Sequence, residues 1–188
     1  MIQQKIEEAI LIKRKIVEDK ELIDRISLAI QILTEAFKSG NKVFLCGNGG
    51  SAADAQHIAA ELSGRFYLDR PPLPAEACHV NSSFITAVSN DFGYDMAYSR
   101  YIKGFGKKND VLIAISTSGN SVNINNSLKQ AKLLGMKMIG LTGESGGKMK
   151  DLVDLLINVP SNDTPRIQEA HILIGHIICE QVEKNIFA

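Results

Sequence analysis

Residues 43–63 read VFLCGNGGSAADAQHIAAELS, four apolar residues, a glycine-rich turn and then an alanine-rich stretch with helical spacing. A short apolar run that ends in glycines and passes into a helix is a strand-to-helix unit. The texture recurs. After Val43–Cys46 come the apolar runs Ala75–Cys78, Val111–Ile115, Met138–Leu141 and Leu155–Val159, and helical spacing occupies Ala52–Ser63, Ser82–Val88, Ser121–Leu134 and Pro165–Phe187 between and after them. Strands alternating with helices join through right-handed crossovers into a parallel sheet covered on both faces. The predicted class is α/β, a three-layer α-β-α sandwich with a five-stranded parallel sheet. In such open sheets ligands lie beyond the carboxyl ends of the strands, where strand order reverses. Chemistry is therefore expected in the loops after Cys46, Cys78 and Ile115.

Upstream, Leu22, Ile26, Ala29, Ile30, Leu33, Ala36 and Phe37 form one apolar helical stripe closed by Ser39-Gly40, and Ile2–Val17 repeats it more loosely. Residues 1–40 are thus expected to be two helices or one long bent one, an N-terminal extension with part of its surface facing another subunit. The 188 residues are 45% hydrophobic and 22% charged, which predicts a single domain over residues 1–188. Lys+Arg and Asp+Glu both number 21, so no general field draws the surface to nucleic acid or to an anionic membrane. Any anion must be held by local groups. The N-terminus lacks the pattern of a secretion signal, no stretch is long and apolar enough to span a membrane, and Cys46, Cys78 and Cys179 are too widely spaced for a disulfide frame. The cytoplasm is the expected compartment.

Two loops carry the strongest chemical signals. Cys46-Gly47-Asn48-Gly49-Gly50-Ser51 offers backbone amides and a helix start to an anion, yet lacks both the Lys-Ser/Thr of a P-loop and the last glycine of a dinucleotide fingerprint. Ser116-Thr117-Ser118-Gly119-Asn120-Ser121 gathers four hydroxyls at another helix start. These hydroxyls suit a phosphate monoester, or one of Asn120 and Ser121 simply caps the helix. His57 and Glu61 are i and i+4 on one helix face, with Arg65 a turn later. The pair serves as metal ligands, as a proton-transfer pair or as a surface hydrogen bond. In the last helix Gln168, His171 and His176 lie among apolar residues, where a histidine is commonly a core residue.

In order and spacing, Cys46–Ser51, His57 through Glu61 to Arg65, Asn90-Asp91-Phe92-Gly93, Ser116–Ser121, Leu141-Thr142-Gly143 with Gly146-Gly147-Lys148-Met149, and Arg166-Ile167-Gln168-Glu169 continuing to His176 resemble the sugar isomerase (SIS) domain, and within it the phosphoheptose isomerases. The resemblance spans nearly the whole chain. It implies a flavodoxin-like strand order, a cytoplasmic homotetramer and interconversion of sedoheptulose 7-phosphate with D-glycero-D-manno-heptose 7-phosphate. It further implies one zinc per active site on His57, Glu61, Gln168 and His176. Asn48, Gly49, Gly50, Asn90, Asp91, Ser116, Thr117, Ser118, Ser121, Glu61 and Gln168 would contact the sugar phosphate, with Ser51 and Arg65 as further contacts. The loops Tyr67–Leu73 and Ser161–Thr164 depart from the family pattern, and substrate preference among heptose phosphates is expected to reside there.

Aldose-ketose interconversion removes a proton beside a carbonyl, passes through an enediolate and returns a proton to the neighbouring carbon. Glu61 is the natural base and His176 the acid that moves the hydroxyl proton. Gln168 and His176, eight residues apart on one helix, are separated by about 12 Å along the axis and about 80° around it. A neighbouring subunit lending one of them would relieve that mismatch. The alternative class is a non-enzymatic SIS protein, resembling the replication-initiator partner DiaA or a sugar-phosphate sensor; such a module needs none of Glu61, Gln168 and His176.

Overall fold

The computed structural model describes residues 1–188 and has at its centre five strands, β1 (Val43–Cys46), β2 (Ala75–Ala77), β3 (Val111–Ile115), β4 (Lys137–Thr142) and β5 (Leu155–Asn158). They pair in the order β2-β1-β3-β4-β5, every pair parallel. This is the order the resemblance implies. Seven α-helices surround the sheet: α1 (Ile2–Glu18), α2 (Lys20–Lys38), α3 (Gly50–Ser63), α4 (Ser82–Phe92), α5 (Ala97–Phe105), α6 (Val122–Leu134) and α7 (Thr164–Phe187). Alternation along the strands assigns the faces. Val43, Leu45, Val111, Ile113, Ile115, Ile139 and Leu141 pack with α2, α3 and α7, whereas Phe44, Cys46, Leu112, Ala114 and Met138 pack with α5 and α6. Strand order reverses between β1 and β3, where α3 departs on one face and α6 on the other.

The N-terminal extension is two helices, because the Asp19 side chain accepts a hydrogen bond from the Leu22 N–H at 3.0 Å and so starts α2. Only Ile16 of α1 is buried, while Ile2, Ile6, Ile10, Leu11 and Val17 are exposed. No helix is long and apolar enough to cross a membrane, and the three cysteines are free and buried. Two helical features exceed the expectation. α4 runs to Phe92 rather than Val88, since the polar Ser89-Asn90-Asp91 continues the helix until Gly93 ends it at φ +84°. α5 was hidden by its tyrosines and Gly104, yet Ala97, Tyr98, Tyr101 and Ile102 form its buried stripe.

α3 and α7 pack side by side in the same direction, for their contacts advance together. Gly50 meets Gln168, His57 meets His176 and Ile58 meets Gly175. A Cβ at Gly175 would stand 2.5 Å from Ile58 Cδ1, so a residue without a side chain sets the helix separation. His171, on the buried side of α7, is 0% exposed and its Nε2 lies 3.1 Å from the Thr142 carbonyl oxygen. It is a core histidine.

Burial pulls the His171 pKa down to about 4. The unfolded chain binds this proton as pH falls through 6.5, the folded chain only near 4, so the stability it contributes is full above 6.5 and is lost between 6.5 and 4. Thermal melting should therefore show a midpoint that drops across that window. His171→Gln, which keeps a donor for the Thr142 carbonyl, should flatten the drop; an unchanged slope would assign the acid sensitivity to another group.

Candidate active site

Three side chains from α3 and α7 converge. His57 Nε2 lies 3.1 Å from Glu61 Oε1 and 3.3 Å from His176 Nε2, and one ligand atom of each residue lies within 4.8 Å of the others. A ring nitrogen carries at most one hydrogen, so His57 Nε2 cannot satisfy both neighbours. A cation between the three lone pairs satisfies all of them. Two imidazoles and a carboxylate are the donor types of zinc, and a tetrahedral ion with bonds of about 2.0–2.1 Å holds its ligand atoms about 3.3 Å apart. The donor set fits such an ion, and His57 Nε2 stands at about that spacing from both of its neighbours. Phe66 adds an aromatic wall, its ring centroid 5.9 Å from that of His176.

The two loops sit on either side of the point where strand order reverses, and a polar chain joins them. Asn48 and Asn123 exchange amide hydrogen bonds of 2.9 and 2.8 Å, Tyr94 donates to Asn48 Oδ1 at 3.0 Å, and Tyr98 donates to the Gly47 carbonyl. Two helix starts carry side-chain caps, α2 by Asp19 and α4 by Asn81, and those of α1, α5 and α7 do not. α3 and α6 start with no side-chain cap. Ser121 instead turns its hydroxyl to that of Ser116, at 3.1 Å, and Asn120 bonds the Ser118 carbonyl and the Lys148 N–H. The capping explanation of the serine loop therefore fails; the Ser51, Ala52 and Ala53 N–H groups donate to the Asn48 and Gly49 carbonyls and the Ile124 N–H donates to Asn123 Oδ1, so what the two starts offer an anion is the positive end of each helix.

The loop after β4 holds the serine loop in shape. Gly143 N–H donates to the Thr117 carbonyl at 2.9 Å and Met149 N–H to the Gly119 carbonyl at 3.0 Å. At Gly147, φ is +52° and a Cβ would stand 2.3 Å from the Ser118 carbonyl oxygen. No other residue fits there.

The remaining expected residues are placed as follows. Gln168 lies against Gly50, so its amide borders the first glycine loop while His176 joins the histidine-carboxylate trio two turns further on. Asn90 and Asp91 are exposed in the last turn of α4, bonded to each other at 2.9 Å, and Tyr94 ties that end to Asn48. Ser51 is buried at the start of α3, and Arg65 is exposed just beyond its end. Sequence reasoning missed Tyr94, Asn123, Phe66, Arg70 and Glu183. Glu183 had a signal: it falls on the buried stripe of α7 beside Val182 and Cys179, and a charge on an apolar stripe demands a buried partner.

A family model described as the SIS domain matches residues 6–143. A phosphoheptose isomerase from Clostridium acetobutylicum is 51% identical over 186 residues, 99% of this chain and 95% of that protein. Among solved structures, a phosphoheptose isomerase from Francisella tularensis superposes with a TM-score of 0.93 at 35% identity, covering 97% of this chain and 96% of that one. One from Neisseria gonorrhoeae does so with a TM-score of 0.90 at 37% identity, covering 98% and 100%.

Gly147→Ala should push the Ser118 carbonyl away and open the serine loop. The expected result is at least about a tenfold loss of sugar-phosphate affinity, equivalent to about 1.4 kcal/mol, with the circular dichroism spectrum unchanged. Isothermal titration of the variant measures it; unaltered affinity would show that the serine loop does not hold the phosphate.

Proposed function

The chain belongs to the SIS-domain family and within it to the phosphoheptose isomerases, and from that premise we propose that it interconverts sedoheptulose 7-phosphate and D-glycero-D-manno-heptose 7-phosphate, the first step of bacterial heptose biosynthesis. The observation that carries this reading is the convergence of His57, Glu61 and His176 along the same two helices whose other end, Gly50 and Gln168, borders the glycine loop. The seven helical residues from Gly50 to His57 rise on the order of 10 Å. That matches an extended seven-carbon phosphate ester with its phosphate at the loops and its first two carbons at the trio. A binding module has no use for the trio.

The serine-loop hydroxyls of Ser116, Thr117, Ser118 and Ser121, together with the amides of Asn48, Gly49 and Gly50, bind the phosphate end without a cationic side chain. Asn90, Asp91, Ser51, Arg65 and Gln168 are the proposed partners of sugar hydroxyls. Zinc is proposed on His57, Glu61 and His176, and when bound it would polarise the substrate carbonyl as a Lewis acid; Gln168, which lies against Gly50 two turns away, would serve as a fourth donor only from a neighbouring subunit. Glu61 and His176 have two usable ends each. Glu61 Oε1 faces His57, which leaves Oε2 to take the carbon-bound proton and return it to the neighbouring carbon. His176 faces His57 through Nε2, which leaves Nδ1 to move the hydroxyl proton. Holding and proton transfer are thereby divided between atoms of the same group.

The exposed apolar residues of α1 support assembly through the N-terminal helices, and a cytoplasmic homotetramer acting on a soluble sugar phosphate, with neither nucleic acid nor membrane as partner, is the proposed working form.

Glu61→Gln keeps size and hydrogen bonding but cannot accept the proton. Turnover of sedoheptulose 7-phosphate should fall by at least about 100-fold, with the fold intact; retention of most activity would remove Glu61 from the mechanism. His176→Gln should lose turnover and bind zinc more weakly, and excess zinc should not restore the rate. Rescue by zinc would make His176 a ligand only.

A further inference from the structure

Residues 65–74 link α3 to β2 with neither helix nor strand, and α7 dictates their path. The carboxylate of Glu183 accepts the backbone N–H groups of Phe66, Tyr67 and Leu68 at 3.0, 2.7 and 2.9 Å, and Arg70 Nε at 2.8 Å. Both side chains of this ion pair are 2% exposed. Arg70 then donates to the carbonyls of Glu61 at 2.9 Å, Leu62 at 2.8 Å, Gly64 at 3.3 Å and Pro71 at 3.1 Å. The carbonyls of Glu61 and Leu62 belong to the last turn of α3, which supplies them no intrahelical N–H donors, and the Leu62 carbonyl also accepts from the Leu73 N–H at 3.2 Å.

One buried knot thus completes the helical turn that carries Glu61 and fixes the backbone of Phe66, whose ring lies against His176. Replacing a buried ion pair by apolar residues is often neutral or stabilising, so stability alone is a weak reason for one. Here the hydrogen bonds are directed at the backbone on both sides of the reacting groups. We propose that Glu183 and Arg70 are positioning residues for the isomerisation: they hold Glu61 through its carbonyl and His176 through Phe66. The inference rests on the roles given to Glu61 and His176 above. Removing an outer partner of a metal ligand typically costs 10–100-fold in metal affinity or activity.

The test compares the full-length protein with Glu183→Gln, Arg70→Lys and Phe66→Leu. Thermal midpoint, zinc affinity by competition with a chromophoric chelator, and kcat and KM for sedoheptulose 7-phosphate are measured well below the midpoint. Glu183→Gln should lower kcat and zinc affinity by at least about tenfold and leave KM within about threefold, because the loops that bind the phosphate end are braced by the loop after β4 and by Asn123 of α6 rather than by the knot. Phe66→Leu leaves the knot in place and removes only the aromatic wall; it should lower the same two quantities to a smaller extent. A lower midpoint with wild-type kcat and zinc affinity in Glu183→Gln would overturn the proposal and leave a structural staple. If Glu183→Gln does not fold, Phe66→Leu decides, and wild-type values there overturn it. A wild-type protein that neither isomerises the substrate nor binds zinc would sink the functional reading and this inference with it; an active wild type with insensitive variants sinks the inference alone.

Discussion

The chemistry of this molecule depends on how closely α3 and α7 approach. Because they run in parallel, residues about 117–119 positions apart in the chain stand level, and one register places Gly50 beside Gln168, His57 beside His176 and Phe66 beside Glu183. The approach is set at Gly175, where even one added carbon would overlap Ile58. A wider spacing would part the two imidazoles, whose facing nitrogens are 3.3 Å apart. The helices are in turn anchored by strand residues of one sheet face, so a packing constraint in the core determines the geometry of a site at the surface.

Electrostatics follow the same logic of local provision. With 21 charges of each sign the chain offers an anion no long-range attraction. In place of cationic side chains, it offers the starts of the two helices that leave where strand order reverses, which like those of α1, α5 and α7 carry no side-chain cap. The positive end of each helix favours an anion there. The polar chain Tyr98, Gly47, Tyr94, Asn48 and Asn123 holds both starts in a common frame.

The sheet was legible because strands covered on both faces are written as short unbroken apolar runs, and the helices that cover them as apolar stripes. β1 and β3 fall at their expected limits; β2 and β5 end one residue earlier, and β4 is one residue longer at each end. The α4 limit and the whole of α5 were not legible, since Asn90-Asp91 reads locally as a turn and tertiary packing overrides that preference. At the site, His57 and Glu61 were legible as a pair from their spacing. Their meeting with His176 came only from the resemblance, because it depends on the relative direction of two helices far apart in sequence, which periodicity does not encode. The knot was half legible, through a glutamate on an apolar stripe, but its partner Arg70 lies in a segment with no period at all.

Exposure of the trio completes the physical picture. The side chain of His57 is 48% exposed and that of Glu61 26% exposed, so in a single chain water reaches both. Fixed dipoles and ions stabilise a developing enediolate best where water is excluded and the effective dielectric falls. A single chain walls the trio on one side with Phe66 and on another with the helix pair, and it leaves the remaining side open. The same chain leaves the apolar side chains of α1 uncovered. A surface brought over the open side of the trio would lower the effective dielectric there and strengthen the hold of the trio on developing charge.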